Sequence, residues 1–326
     1  MTIIKREKRD GVIVYTLRKD LTDAQTAALE GKHLTTRHFK DKIDHDCDVY
    51  TEDGQLLMKF RKGILPQHNV DNFYDNVIDF AHNVTGARGA ESGSDVKDIR
   101  FNKRIASNVY GYFDKWTIFQ KHMFKTLKIK PPFPVRVTRF TTEFPDKWAK
   151  MVPLIQNIDK LYKKLVPGPY RFQRKCADET AYKIPGTAFT TITTNLNTQM
   201  GAHHDSGNLK ESFGNLVVIE KGKYEGGYTV FPQYKVAADV RTGDFLAMNI
   251  HLLHAVTAIK PKTEGAERLS IVCYLRQGVW EKSKGTTSED VKKNISTMQR
   301  IIKRFGKKKA ANEQLKEAKQ VPFKQL

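Results

Sequence analysis

From residue 187 onward the chain breaks into seven short runs: TAFTTITTNLNTQM, GNLVVIE, GGYTVFPQY, VAADV, DFLAMNI, HAVTAI and LSIVCYL. Thr and Val are well represented in them, and turns containing Gly, Asn, Pro or Asp separate them. Short β-branched runs between turn residues read as strands. Seven of them in succession predict a barrel or sandwich. Upstream, Val70, Phe73, Val77, Ile78 and Ala81 recur near helical spacing over 67–82, with Asp71 charging the first turn. Over 145–165, Trp148, Met151, Val152, Ile155, Ile158, Leu161, Tyr162 and Leu165 form an apolar stripe, with Pro145 suited to the first turn. Pro153 must lie early in a turn or kink that helix. Residues 1–66 alternate β-like runs, such as Val12–Tyr15 and Leu56–Phe60, with charged loops. After a hinge at 282–288, Ser288 is the expected cap of a helix over 289–305. Val291, Ile295, Met298, Ile301, Ile302 and Phe305 form its inner face, and an exposed arm follows. The expected class is α+β, with a mixed N-terminal portion at 1–186, a β-rich core at 187–280 and a basic helical tail at 281–326.

Charge narrows the partners. The chain carries 56 Lys and Arg against 36 Asp and Glu, a formal +20. A field of that sign attracts polyanions, above all nucleic acid. The excess is clustered: residues 281–326 hold 13 basic and 5 acidic residues, and KHMFKTLKIKPPFPVRVTR at 121–139 and KKLVPGPYRFQRK at 163–175 are further concentrations. An anionic membrane surface fits less well, because no strongly apolar face accompanies the charge. No apolar stretch is long enough for a membrane span, and the start, MTIIKREKRDG, lacks a secretory apolar run. Cys47, Cys176 and Cys273 share no close spacing, so neither a disulfide scaffold nor a zinc site is expected. A reducing, intracellular setting fits, cytoplasmic or nuclear. A monomer is expected.

The chemistry concentrates in the run His203-His204-Asp205. Side chains two apart in a strand share a face, so His203 and Asp205 point together and His204 points away. That pair is the short arm of a 2-His-1-carboxylate triad, which holds Fe(II) on one face and leaves other positions open. The second histidine must return from a distant strand. His254, at the head of HAVTAI, is favoured over its competitor His251, which belongs to the turn after DFLAMN and suits a loop or substrate role. Zinc can use the same three ligands in hydrolases. Arg268-Leu269-Ser270 argues against zinc: Arg268 and Ser270 share a face and can clamp a carboxylate, as a chelating 2-oxo acid requires for its far end. Asn195 and Asn197 share a face before His203 and are candidates to bond the cosubstrate or an iron ligand. Gly226-Gly227 reads as a tight turn. Phe231-Pro232 is expected to shape an edge near the site. RGAESG at 88–93, with Arg88 and Gly89, is a candidate cofactor or substrate loop.

The stretches TTNLNTQMGAHHDSGN, YEGGYTVFPQYKVAADVRTGDFLAMNIHLLHAV and ERLSIVCYLR resemble the core of the 2-oxoglutarate- and Fe(II)-dependent oxygenases. Within these they most resemble the TET/JBP group, with its phage and viral members, which oxidise the 5-methyl group of pyrimidines in DNA. The resemblance covers about residues 187–277. It implies a double-stranded β-helix, the jelly-roll or cupin-like core. It implies that His203, Asp205 and His254 hold Fe(II), and that Arg268, assisted by Ser270, holds the C5 carboxylate of 2-oxoglutarate, with O₂ as cosubstrate. It also implies that DNA is the partner, as a duplex from which the target base is flipped. The cysteine-rich insert of animal TET enzymes is absent.

Conversion of 5-methylcytosine to 5-hydroxymethylcytosine is the favoured reaction, with thymine to 5-hydroxymethyluracil next. His204, His251, Phe231 and Tyr234 are the candidate substrate contacts, together with Arg88 and Gly89. The same ligands would serve a prolyl or lysyl hydroxylase, and a binding protein on a decayed oxygenase core is the non-catalytic alternative. The charge speaks against the first and the complete ligand set against the second.

Overall fold

A computed structural model describes residues 1–86 and 103–320, with side chains described through residue 310. In chain order the first elements are β1 (Thr2–Arg9), β2 (Val12–Arg18), α1 (Asp23–Ala27), β3 (Asp41–Ile43), β4 (Cys47–Thr51), β5 (Leu56–Arg61) and α2 (Gln67–Ala81). Next come β6 (Ser107–Phe113), α3 (Ile118–Leu127), β7 (Arg136–Val137), α4 (Arg139–Glu143), α5 (Pro145–Leu165) and α6 (Pro167–Asp178). The β-rich part holds β8 (Thr191–Leu196), β9 (Met200–His203), β10 (Gly214–Lys221), β11 (Tyr224–Gly226), β12 (Thr229–Phe231), β13 (Val236–Ala238), β14 (Phe245–Met248), β15 (His254–Val256), β16 (Ile259–Pro261) and β17 (Glu267–Tyr274). It closes with α7 (Gln277–Ser283) and α8 (Ser288–Gln320).

Two sheets face each other. The larger has ten strands in the order β1-β2-β4-β5-β14-β10-β17-β8-β6-β7, and the smaller five, β3-β13-β12-β15-β9. One core lies between them: Leu216, Val218, Leu246 and Met248 from the large sheet meet Phe231, Val236 and Ala238 from the small one. The other face of the large sheet packs on helices. Val217, Ile219, Leu269, Ile271 and Cys273 meet Phe73 and Val77 of α2 and Ile155, Ile158 and Tyr162 of α5. Period-2 alternation therefore feeds both cores from the same strands. This is the expected α+β jelly-roll architecture.

The helices follow their patterns. In α2, Val70, Phe73, Val77 and Ala81 are buried. In α5, Pro145 occupies the first turn, and Pro153 lies inside the helix without ending it. Two features differ from expectation. The large sheet crosses the 186/187 division, because β14 pairs with β5 and β6 with β8. The N-terminal strands thus extend the core sheet, and their short alternating runs carry no mark of which partner they pair with. The tail helix also continues past Phe305 to Gln320, since nothing between these positions breaks it. Its cap is Thr287 instead of Ser288: Thr287 N–H donates to the Asp290 carboxylate at 2.8 Å, and Asp290 N–H donates back to the Thr287 hydroxyl at 3.4 Å. This reciprocal pair is a capping box. No helix among the described residues is long and apolar enough to cross a membrane.

α8 is seated by a polar anchor. Asn294 is fully buried and its amide donates to the Val135 carbonyl at 2.8 Å and to the Tyr182 hydroxyl at 3.0 Å. Asn294→Ala leaves that carbonyl unpaired, a cost of about 1–3 kcal/mol. Hydrogen exchange across 288–305 should accelerate while α5 stays protected. Unchanged exchange in α8 would show that Asn294 does not anchor it.

Candidate metal and cosubstrate centre

β9 and β15 pair antiparallel with His203 opposite His254. That register places both rings on one side, with centroids 4.5 Å apart. Asp205 follows immediately, its N–H tied to the Ile250 carbonyl at 3.1 Å. One ligand atom each from His203, Asp205 and His254 lies within 4.8 Å of the others, and His203 Nε2 stands 3.6 Å from Asp205 Oδ1. His203 Nδ1 donates to the Gly201 carbonyl at 2.7 Å, and His254 Nδ1 to the Leu252 carbonyl at 2.9 Å. Donation from Nδ1 leaves the lone pair on Nε2 and fixes the ring, the usual outer support of a metal-binding imidazole. Burial, helped by the neighbouring His203, lowers the His254 pKa to about 4, so the ring is neutral at neutral pH. The donor set of two imidazoles and one carboxylate fits Fe(II).

His251 stands apart from this cluster. It is exposed, its N–H bonds the Asn249 side chain at 3.1 Å, and its carbonyl accepts from His204 Nδ1 at 2.9 Å. His204 is likewise exposed and turned away from its neighbours, as alternation requires.

A second constellation lies on the inner face of the large sheet. Arg268 pairs with Glu220 across β10, and Ser270 with Val218 on that side and Asn195 on the other. Val218 belongs to the inter-sheet core, so Arg268 and Ser270 face inward. Arg268 is 1% exposed, and its Nε and Nη2 have no hydrogen-bond partner among the described residues. The carboxylates nearby are engaged elsewhere. Glu220 holds Arg241 at 3.0 Å and the Thr242 N–H at 2.8 Å, while Asp239 pairs with Lys42 at 2.7 Å and with Arg241. Burial pulls the Arg268 pKa down, yet a guanidinium stays charged. An uncompensated buried cation is costly, and an anion from outside the chain would relieve it. The Asn195 Oδ1 and the Thr229 hydroxyl are also buried without partners. Thr229 shares its face with Phe231 by alternation, and the Phe231 ring lies 6.3 Å from that of His254. The interior between the sheets thus holds the metal ligands and Thr229 on the small-sheet wall and Arg268, Ser270 and Asn195 on the large-sheet wall. That arrangement suits a small dicarboxylate that reaches from the metal to Arg268.

Several expectations need correction. Asn197 does not share the outlook of Asn195. Its φ of 48° ends β8 and breaks the alternation. Its Oδ1 accepts from Arg268 N–H at 2.7 Å while its own N–H donates to the Arg268 carbonyl at 3.0 Å. Asn197 therefore positions Arg268 from behind. Phe231 is wholly buried in the inter-sheet core beside His254, which makes it a wall. Tyr234 is buried in the same core, where burial and the nearby Asp53, Glu52 and Asp23 push its pKa up to about 12; it is not grouped with the triad. Arg88 and Gly89 lie outside the described residues.

Gly227 is a residue that pattern reading missed. A Cβ there would stand 2.6 Å from Arg268 Cδ and Nε, and φ is +71°. The glycine makes room for the guanidinium, where turn chemistry alone had seemed sufficient. The Gly-Gly pair was the available signal. Thr229 gave none. Nor did Asn208, buried three residues beyond Asp205 with its Nδ2 unpaired.

Residues 123–277 match the family model Tet_JBP, described as the oxygenase domain of the 2OGFeDO superfamily. Over those residues the chain is similar to a TET/JBP oxygenase domain. Among its relatives, the bifunctional helicase and thymine dioxygenase JBP2 of Leishmania tarentolae is 32% identical over 173 residues, 53% of this chain and 15% of that protein. Thymine dioxygenase JBP1 of Trypanosoma brucei brucei is 30% identical over 148 residues, 45% of this chain and 17% of the relative. The chain thus spans less than a fifth of either. The solved structure of NgTET1 in complex with 5mC DNA superposes with a TM-score of 0.51 at 15% identity, covering 85% of this chain and 88% of that one. It shares the fold of this chain, including much of what surrounds the matched segment.

The ligand set of His203, Asp205 and His254 can be separated from its histidine neighbours by anaerobic Fe(II) titration. His254→Ala should lose the tight site, whereas His251→Ala should retain it. Tight binding by the first and loss by the second would reverse the assignment. Gly227→Ala should weaken 2-oxoglutarate binding without displacing Fe(II), read by calorimetry on the iron-loaded protein. Unaltered 2-oxoglutarate affinity would show that Arg268 does not need that space.

Proposed function

We propose that this protein is an Fe(II)- and 2-oxoglutarate-dependent dioxygenase that hydroxylates the 5-methyl group of a pyrimidine in DNA. The observation that carries the reading is the buried, unpaired guanidinium of Arg268 in the same inter-sheet space as His203, Asp205 and His254. A zinc hydrolase has no use for such an anchor. Bound iron and 2-oxoglutarate would supply the oxidising chemistry that places oxygen in a C–H bond. The chain's own groups provide position and exclusion. His203 and His254 offer Nε2, held by their Nδ1 bonds to backbone, and Asp205 adds the charge that offsets a divalent cation. Arg268 takes the far carboxylate of the cosubstrate, steadied from behind by Asn197, with the Ser270 hydroxyl alongside. Phe231 keeps water from the His254 side. No side chain has to act as nucleophile or general base, so geometry and a dry interior are what the fold contributes.

The charge of +20 supports a polyanionic substrate. The thymine dioxygenase relatives make thymine the first base to test, and the neighbour bound to 5mC DNA makes 5-methylcytosine the second. A methyl group inside a duplex is out of reach of a buried metal, so the base must leave the stack.

The test is incubation of the iron-loaded protein with 2-oxoglutarate, O₂ and duplexes containing thymine, with or without 5-methylcytosine, followed by digestion and nucleoside mass spectrometry. 5-Hydroxymethyluracil or 5-hydroxymethylcytosine should form, and His203→Ala should form neither. Succinate without any oxidised nucleoside, accompanied by hydroxylation of a peptide, would transfer the reading to a protein hydroxylase. Arg268→Lys should raise the KM for 2-oxoglutarate by at least about tenfold, since a lysine cannot reproduce the bidentate fork.

A further inference from the structure

Two basic segments far apart in sequence meet in space. Residues 115–139 contain seven Lys and Arg with no Asp or Glu, and residues 291–310 contain eight with none. Together they carry a net +15 of the chain's +20. α3 lies in the first and most of the described part of α8 in the second. Met123, Phe124 and Leu127 of α3 pack on Met298, Ile301 and Phe305 of α8, and Lys308 of α8 donates to the Thr126 carbonyl of α3 at 2.8 Å. Val291 and Ile295, earlier on the same face of α8, pack instead on Val135, Val137 and Tyr182. Basic residues of both helices are left outward: Lys121, Lys125, Lys303, Arg304 and Lys307 are exposed and form no ion pair among the described residues.

Such a concentration of one sign on two packed helices repels itself and destabilises the compact state. A polyanion laid along it removes that cost. From Lys292 to Lys308 the helix spans roughly 24 Å, about seven base pairs of duplex. The matching surface is therefore a stretch of DNA backbone. A membrane surface fits worse. Ile118, Phe119 and Ile302 are exposed, but Phe119 packs edge-on against Phe305 at 5.7 Å, and no continuous apolar face is turned outward. The arm is tied to the body beside the metal-bearing loop. α7 joins α8 to the strand carrying Arg268, and Arg276 at its head pairs with Asp114 and bridges to Asn208, three residues past Asp205.

We infer that α3 and α8 form a docking arm for the phosphate backbone of duplex DNA, outside the oxygenase cavity, which supplies affinity and takes no part in the chemistry. This rests on the proposed DNA substrate and names the surface that would hold it.

The test uses the full chain with five substitutions, Lys121→Gln, Lys125→Gln, Lys303→Gln, Arg304→Gln and Lys307→Gln. All are exposed and away from the buried stripe, so folding should persist. Binding of a fluorescent duplex is measured by anisotropy across a salt series. Each lost phosphate contact lowers the slope of log K against log salt by about 0.9. The slope should fall by about 2–4 and affinity by at least about tenfold, with 2-oxoglutarate binding unchanged. A control replaces Lys8, Lys150, Lys160, Lys164 and Lys260, also exposed, and should leave the slope within about 1 of the parent. The inference is overturned by an unchanged slope, by an equal fall in the control, or by anionic phosphatidylserine vesicles being the only ligand whose binding the arm substitutions weaken. The outcomes are separable from the function assay. Base oxidation with an indifferent arm removes the arm alone. Arm-dependent duplex binding without oxidation removes the proposed reaction alone.

Discussion

The pairing of β9 with β15 is the constraint on which the site depends. Strand side chains alternate, so a slip of one residue would turn His203 outward and replace it with its exposed neighbour His204. The register is defended from both sides. Phe231 on β12 and the rest of the inter-sheet core require the same faces inward, and the Nδ1 bonds to Gly201 and Leu252 hold each ring once it is there. Hydrophobic burial thereby decides where a polar constellation sits. The ligands inherit their geometry from the apolar residues that alternate with them.

This is why the triad could be read from sequence. His203, Arg268 and Ser270 lie in strands, and Asp205 follows two residues past the end of β9 in backbone still tied to Ile250, so spacing translates directly into direction. His254 opens a strand of its own, and His251 lies in the turn before it. The same rule failed at Asn197, one residue past the end of β8, because a left-handed backbone rotates the side chain out of the series. Gly227 was legible as a glycine but not as a space for Arg268, since that requirement arises only when the turn after β11 is brought against the Arg268 side chain of β17. The long helices showed themselves through 3.6-residue periodicity and their prolines. Strand partners did not, because β2, β4 and β5 are short alternating runs that fit any sheet with an apolar face.

The interior can be read as the imprint of what it is built to hold. Protein cores rarely leave polar atoms unpaired. Among the described residues several such exceptions line this interior: the Arg268 guanidinium, the Asn195 carbonyl oxygen and the Thr229 hydroxyl are unsatisfied on the inward faces of the two sheets. The nearby Glu220 and Asp239 carboxylates are already committed to Arg241, Lys42 or backbone. The Arg268 guanidinium aimed at the cavity is thus left with Nε and Nη2 unpartnered among the described residues.

The shared sheet also has a bearing on how the protein can be divided. The family match begins at residue 123, but β14 is hydrogen-bonded to β5, β8 to β6, and β13 to β3, all from the preceding part of the chain. A fragment cut to the matched residues would carry every metal ligand and the arginine, yet expose three rows of unpaired backbone N–H and C=O groups. Bare edges of that kind recruit strands from other molecules. Such a fragment would keep every ligand and yet aggregate, so the folding unit is larger than the matched segment.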